Sequence, residues 1–251
     1  MATIYGTKNS DILYGTNVAD IIYGYAGNDT LSGGDGNDTL IGGPGIDTMS
    51  GGLGNDIYSA DNVDDIITEN FNGGIDKINS SVTFMLSDNV ENLTLTGTLN
   101  VNATGNGAAN IIVGNSGSNH LIGGAGNDTL NGKAGNNILT GGTGMDYFQF
   151  RTSDHIETGY IDTITDFNVA DDTIKLDKSV FTVFTNPNPS AIAISQFVIG
   201  SNAWDADDFI IYDNTTGRLL YDPDGSGSDA AIEFATVTTG LAMDNKDFHV
   251  I

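Results

Sequence analysis

A nine-residue period constrains this chain more than any other feature. From Gly24 to Ser59 the chain reads as four successive units: GYAGNDTLS, GGDGNDTLI, GGPGIDTMS and GGLGNDIYS. Glycine occupies positions 1, 2 and 4 of each unit, save that Tyr25 stands at position 2 of the first. Position 6 is aspartate (Asp29, Asp38, Asp47, Asp56) and position 8 is large and apolar (Leu31, Leu40, Met49, Tyr58). A fixed period of this kind marks a repeat architecture. Positions 1 to 6 are too glycine-rich for a helix or strand and form a turn. Positions 7 to 9 alternate, polar outward and apolar inward, as a very short strand does. Two units return the chain to the same side, so one coil takes about eighteen residues and coils stack about 4.8 Å apart like parallel strands. Asp29 is therefore predicted over Asp47, and Asp38 over Asp56.

Stacked carboxylates repel unless a cation lies between them. Aspartates and convergent backbone carbonyls are hard oxygen ligands, the set that suits Ca²⁺. The predicted calcium residues of this array are the four aspartates together with Gly24, Gly27, Gly33, Gly34, Gly36, Gly42, Gly43, Gly45, Gly51, Gly52 and Gly54. A flexible Gly/Asn/Asp linker does not explain an apolar residue kept in register every nine positions. Two units precede Gly24: GTKNSDILY (Gly6 to Tyr14) and GTNVADIIY (Gly15 to Tyr23). They keep the first glycine, Asp11 or Asp20, and an apolar position 8, but lack the inner glycines. Terminal repeats are commonly atypical, and these are expected to be capping coils with weaker or partial calcium sites at Asp11 and Asp20.

A second array follows as GNGAANIIV, GNSGSNHLI, GGAGNDTLN, GKAGNNILT and GGTGMDYFQ. Its position 6 is Asn110, Asn119, Asp128, Asn137 and Asp146. Asp128 and Asp146 lie on one edge, where one calcium site is expected with Gly123, Gly124, Gly126, Gly141, Gly142 and Gly144. The other edge pairs Asn119 with Asn137; fewer charges mean lower affinity, so that edge is expected to be weak or to form a hydrogen-bonded amide ladder. Four regions result: a first array over 1–59, an irregular β spacer over 60–104, the second array over 105–150, and an all-β cap over 151–251. The simplest account of the Val/Ile/Thr-rich spacer is that the solenoid continues through wider, calcium-poor coils; a separate β insert is the alternative.

On these residues the chain resembles the RTX, or repeats-in-toxin, family, whose calcium-binding repeat is this nonapeptide. The resemblance implies an all-β fold built on a right-handed parallel β-roll, an RTX β-solenoid. NVENLTLTG (Asn89 to Gly97) resembles a spacer found between repeat blocks of bacterial members. IDTITDFNVADDTIKL (Ile161 to Leu176) resembles the segment after the repeats in serralysin-type C-terminal domains, and YDPDG is similar to a recurring feature of that region. The final DFHVI, an acidic residue followed by a short apolar tail, resembles the uncleaved signal read by type I secretion machinery. Secretion to the extracellular space is what this implies.

Charge and composition agree with that direction. Eight Lys and Arg stand against 33 Asp and Glu, a formal charge of −25, which disfavours nucleic acid and anionic membranes and opposes compaction until cations bind. Cysteine is absent, so neither disulfide nor thiolate site staples the fold. No apolar stretch approaches the length of a membrane span, and MATIYGTKNSDILYG has neither the basic nor the apolar region of a secretory signal peptide. Neither H-E-x-x-H nor G-x-S-x-G occurs, so the zinc protease and lipase signatures are missing and no enzymatic activity is expected. His120, His155 and His249 are expected at the surface. DPDGSGSDAAIE (Asp222 to Glu233) nearly matches an EF-hand loop, but strand-like flanks favour a polar hairpin. The expected function is calcium-driven folding of an exported protein. Two alternatives are a module of a larger RTX protease, lipase or polysaccharide epimerase, against which Met1 and the complete-looking tail argue, and an adhesin whose partner is an extracellular glycan or cell surface.

Overall fold

The computed structural model describes residues 1–185 and 190–251; the TNPNPS turn cluster lies largely outside them. Within the described residues the chain winds as a parallel β-roll with two faces. One face is a twelve-stranded sheet running from Thr3–Tyr5 to Tyr147–Phe150 and Thr173–Leu176, ending on Phe248–Val250 and the antiparallel Ser190–Ala191. The opposite face is interrupted. A four-stranded sheet holds Ile12–Tyr14, Thr30–Asp35, Thr48–Leu53 and Ile66–Thr68, and a nine-stranded sheet starts afresh at Phe84–Met85.

Position 8 of each repeat builds the core, as the alternation requires. Register pairs Ile22 with Leu40, Leu40 with Tyr58, Ile112 with Leu130 and Leu130 with Phe148. All are fully buried, with Leu31, Met49, Leu121 and Leu139 forming the matching column under the other face. Each buried aliphatic contributes roughly 1.5–3 kcal/mol. A thin solenoid has little else to bury, so its coils stand or fall with this column.

The spacer continues the solenoid on one face only. Tyr58 pairs with Ile78, Ile78 with Leu93, and Leu93 with Ile112. Those steps are 20, 15 and 19 residues instead of eighteen. The coil lengths vary because the glycine turns are gone, yet the apolar column keeps its place. On the other face the change of length breaks the strand ladder between Ile66–Thr68 and Phe84–Met85. The wider-coil account therefore holds for the long sheet, and the interruption of the opposite face is a feature the sequence reading did not contain.

The C-terminal end is closed by β structure. Ile232–Thr236 adds in parallel to Asp162–Ile164, and Phe248–Val250 adds in parallel to Thr173–Leu176. Arg218–Tyr221 and Ile210–Asp213 extend the first of these as antiparallel partners. Asp222 to Glu233 is the loop and returning edge of that hairpin. Its flanks are strands, and Glu233 Oε2 accepts from Arg218 Nε at 2.7 Å, so this is the polar hairpin and not an EF-hand.

Glycine at positions 2 and 4 meets a backbone demand. Gly34, Gly52, Gly124 and Gly142 have φ of 110, 111, 113 and 101°, and Gly36, Gly54, Gly126 and Gly144 have 117, 126, 112 and 133°, the region that side chains avoid. Two position-2 residues break the rule: Tyr25 at φ 74° and Lys133 at φ 60°. Tyr25 stacks on Tyr23 at 6.1 Å between ring centroids, whereas Lys133 has no such compensation. Lys133→Gly is therefore expected to raise stability by about 1 kcal/mol, read as a higher denaturation midpoint in saturating calcium.

Candidate metal centre

The turns of successive coils form two acidic ladders, one along each edge of the roll. Each rung is a backbone amide of one coil donating to the aspartate of the next. The amide of Asp29 donates to Asp47 Oδ1 at 2.8 Å, and that of Asp38 to Asp56 Oδ1 at 2.7 Å. The predicted pairings are thus the ones that stack. The same bond joins Asp11 to Asp29, Asp20 to Asp38, Asp47 to Asp65, and Asp56 to Asp76. In the second array it joins Asn110 to Asp128, Asp128 to Asp146, and Asp146 to Asp172.

One oxygen of each carboxylate is spent on the rung; the other defines the site. Oδ2 of Asp29, Asp38, Asp47, Asp56, Asp128 and Asp146 is buried with no hydrogen-bond partner. These aspartates are at most 2% exposed. No lysine or arginine reaches them: among the described residues the ion pairs of these side chains are Arg151–Asp177, Arg218–Glu233 and Lys246–Asp244. A buried, unpaired carboxylate oxygen carries a desolvation cost of several kcal/mol unless something positive meets it.

Position-1 glycines leave room for that partner. A Cβ on Gly24 would press on Asp29 Oδ2 and lie 2.6 Å from the carbonyl oxygen of Gly42. On Gly33 it would press on Asp38 Oδ2 and lie 2.6 Å from that of Gly51; on Gly123, on Asp128 Oδ2 and 2.5 Å from that of Gly141. Each cradle brings together an orphaned carboxylate oxygen and a carbonyl from the next coil, an all-oxygen set fitted to a hard cation such as Ca²⁺. Gly42, Gly51 and Gly141 likewise face Asp47, Asp56 and Asp146. Gly27, Gly43 and Gly45, with the glycines whose angles are given above, approach the backbone of the preceding coil instead. Their place is to let coils stack closely around the cradles.

Burial acts on these carboxyls in one direction. It pushes Asp47, Asp56 and Asp128 up to about 6 in each case, with the neighbouring acidic rungs adding to the shift, and it also raises Asp38 and Asp146. Asp20 goes the other way. The Thr16 hydroxyl donates to its Oδ2 at 2.7 Å, as does the Thr16 amide, while Ala2 N donates to Oδ1; together these lower its pKa. Asp11 Oδ2 is similarly taken by the amide and hydroxyl of Thr7, at 2.6 and 2.9 Å. The two capping coils, expected to hold weaker or partial sites, instead satisfy their own carboxylates because threonine stands at position 2 in place of glycine.

The asparagine edge of the second array is self-satisfied too. Asn119 N donates to Asn137 Oδ1 at 2.9 Å, and Asn119 Nδ2 donates to the Val101 carbonyl at 2.6 Å. Asn137 N and Nδ2 both donate to Asp162 Oδ1 at 2.9 Å. Asp162 Oδ2 lies 3.0 Å from His155 Nε2. His155 was expected at the surface, but it is only 2% exposed: a one-turn helix, Asp154–Glu157, carries it inward against Phe150. His120 and His249 are partly exposed.

Two sets of residues escaped the sequence reading. Position-5 asparagines form a further ladder: Asn28 Oδ1 accepts from Ile46 N at 3.1 Å, Asn37 Oδ1 from Asn55 N at 2.9 Å, and Asn127 Oδ1 from Met145 N at 2.9 Å. The repeated GND held that signal. Asp65, Asp76, Asp162 and Asp172 extend the acidic ladders beyond the glycine turns. Asp65 was legible, since it sits nine residues after Asp56 with Ile67 at position 8 of the same unit.

Fold and corners together define a calcium-binding parallel β-roll. A family model for the RTX calcium-binding nonapeptide repeat, in four copies, matches residues 5–40, 32–67 and 104–139. The chain thus carries RTX calcium-binding nonapeptide repeats in those two blocks. No curated protein matches the chain.

Two outcomes follow from the geometry. A carboxyl whose folded-state pKa is raised contributes stability that is full below the unfolded range near about 4 and is lost as pH rises through the folded value. In chelator, the roll is therefore expected to be less disfavoured at pH 5 than at pH 8, read as a larger β signal by circular dichroism; in saturating calcium the ion replaces the proton, and lowering the pH through about 6 weakens binding. Gly33→Ala is expected to remove one calcium site by calorimetry and to destabilise by about 1–3 kcal/mol.

Proposed function

We propose that this is an exported, non-enzymatic RTX protein whose roll forms when it meets extracellular calcium. The observation that carries the reading is the set of buried aspartate oxygens in the glycine corners, none of which has a partner in the protein. Without cations the ladders concentrate a large share of a −25 charge into two dry edges, and the open chain is favoured. Calcium binds the folded form alone and draws it forward. Extracellular sites commonly have Kd of about 10⁻⁴–10⁻³ M. At about ten times Kd, each site contributes roughly 1.4 kcal/mol. About half a dozen give on the order of 8 kcal/mol, comparable to the stability of a whole domain.

The C-terminal tail supports the order of events. Phe248 is fully buried and Val250 nearly so, in a strand between Thr173–Leu176 and Ser190–Ala191. A machinery that reads the apolar side chains of DFHVI meets them only before the protein folds. A calcium-poor cytosol, where the ladders repel, keeps that signal open; calcium outside then closes the roll over it. No helix is long and apolar enough to cross a membrane.

Circular dichroism in chelator and in millimolar calcium tests the proposal. A large gain of β signal on adding calcium is expected, reversed by chelator. The same β content in both solutions would refute calcium-driven folding.

A further inference from the structure

The end of the first array holds a corner unlike the others. Its turn, Gly51 to Asp56, stacks on the segment Glu69 to Asp76, which is two residues longer: Thr48 pairs with Ile66 eighteen residues on, whereas Ile57 pairs with Lys77 twenty residues on. Eighteen residues after Gly51, where Gly24 and Gly33 meet the glycines Gly42 and Gly51, this chain has Glu69. Its side chain turns into the corner. Glu69 Oε1 accepts from Gly51 N at 3.2 Å and from the Tyr58 hydroxyl. Tyr58 stands at position 8, where the other three units from Gly24 to Ser59 have Leu or Met, and is fully buried, so that its ring lies in the core column and its oxygen at the edge.

Three carboxylates converge there. One oxygen each from Asp56, Glu69 and Asp76 lies within 4.8 Å of the others. Asp56 is 1% exposed and Asp76 is fully buried, and Oδ2 of both is buried without a hydrogen-bond partner. Those two oxygens are an observation separate from the clustering: the rungs have used Oδ1 of Asp76 and, through Asp38, Oδ1 of Asp56. The second array ends differently. Asp166, in the corresponding place, spends both oxygens on the amides of Gly141 and Gly142 at 2.9 and 2.8 Å. Glu69 also engages both oxygens, Oε2 accepting from Asn70 N at 3.2 Å, so the difference lies in the next rung: Asp172 Oδ2 accepts from Asn168 N at 2.9 Å, whereas Asp76 Oδ2 has no partner.

We propose that Asp56, Glu69 and Asp76 form a calcium site at the junction of the first array and the spacer, in which the side chains of Glu69 and Asp76 take the place of the glycine turn that the next regular coil would supply. Glu69 and Asp76 lie past residue 67, where the first block of matched repeats ends, and Asp56 lies within that block. The site has one more carboxylate than a pair of glycine corners supplies, and more ligand charge raises calcium affinity. It is therefore the tightest site of the first array. Its position gives it a further consequence. The opposite face breaks just after Thr68, so an ion held by both Asp56 and Asp76 fastens the last regular coil to the first irregular one.

The inference rests on the reading of the chain as a calcium roll, and one titration separates the two. Calorimetry with Ca²⁺ is run on the full-length wild type, Glu69→Gln and Glu69→Gly, with circular dichroism in saturating calcium to verify folding. Glutamine keeps the shape and the acceptor for Tyr58 but removes the charge; glycine restores the residue found at Gly42, Gly51 and Gly141. The wild type is expected to show a tightest class of sites that is weakened at least about tenfold in both variants, while the remaining sites keep their affinity. Unchanged site number and affinity in a folded variant would overturn the junction site alone. A wild type that takes up no calcium would instead overturn the reading on which it rests.

Discussion

A buried carboxylate oxygen needs a partner, and the structure is arranged around how each one finds it. In the glycine corners the aspartate after the turn accepts the amide of the coil before it, which sets the stacking and consumes Oδ1. The second oxygen is met by one of several means. Threonine serves at Asp11 and Asp20, and backbone amides serve at Asp65 and Asp172. In the glycine corners the protein provides nothing. The same ladder thus contains rungs that close by themselves and rungs that leave an oxygen without a partner, and threonine at position 2 of the turn separates the first coils from those that follow.

This division explains why the chain is both regular and conditional. The apolar column runs unbroken through arrays, spacer and cap, from Ile22 to Phe248, and gives the roll its continuity. It is thin, however, and flanked by two acidic edges. On the proposed reading, calcium neutralises the edges and ties neighbouring coils together, and the roll draws stability from outside the polypeptide. Self-satisfied ends suit such a design: the capping coils at the N-terminal end and the β cap at the other close the solenoid without metal. The C-terminal strands also cover the end of the roll, where open edges would invite pairing with other chains.

Much of this was legible in the sequence because a nonapeptide leaves few choices. Asp29 over Asp47, Asp38 over Asp56, the inward Leu and Met, and the amide ladder of Asn119 and Asn137 all follow from the period and from which residue fills each position. What escaped depended on side-chain contacts that the period does not encode. Nothing local in GTNVAD reveals that the Thr16 hydroxyl reaches Asp20, although threonine at position 2 was there to be read. The reach of Glu69 into the corner of Asp56 depends on a two-residue insertion and on a tyrosine long enough to touch the edge. His155 was misplaced because a single helical turn, invisible to periodicity, carries it inward. The broken face beside the spacer escaped for a similar reason, since the strand pattern of 60–104 does not disclose that one sheet continues and the other does not.

The central claim is that cations stand between the aspartate rungs of the glycine corners. Anomalous diffraction from a crystal grown with calcium tests it most directly. The account predicts ions in the corners of Asp29, Asp38 and Asp128, and none beside the threonine-satisfied Asp11 and Asp20 or between Asn119 and Asn137. An intact roll in millimolar calcium with no ion at Asp29/Asp47 or Asp38/Asp56 would contradict it.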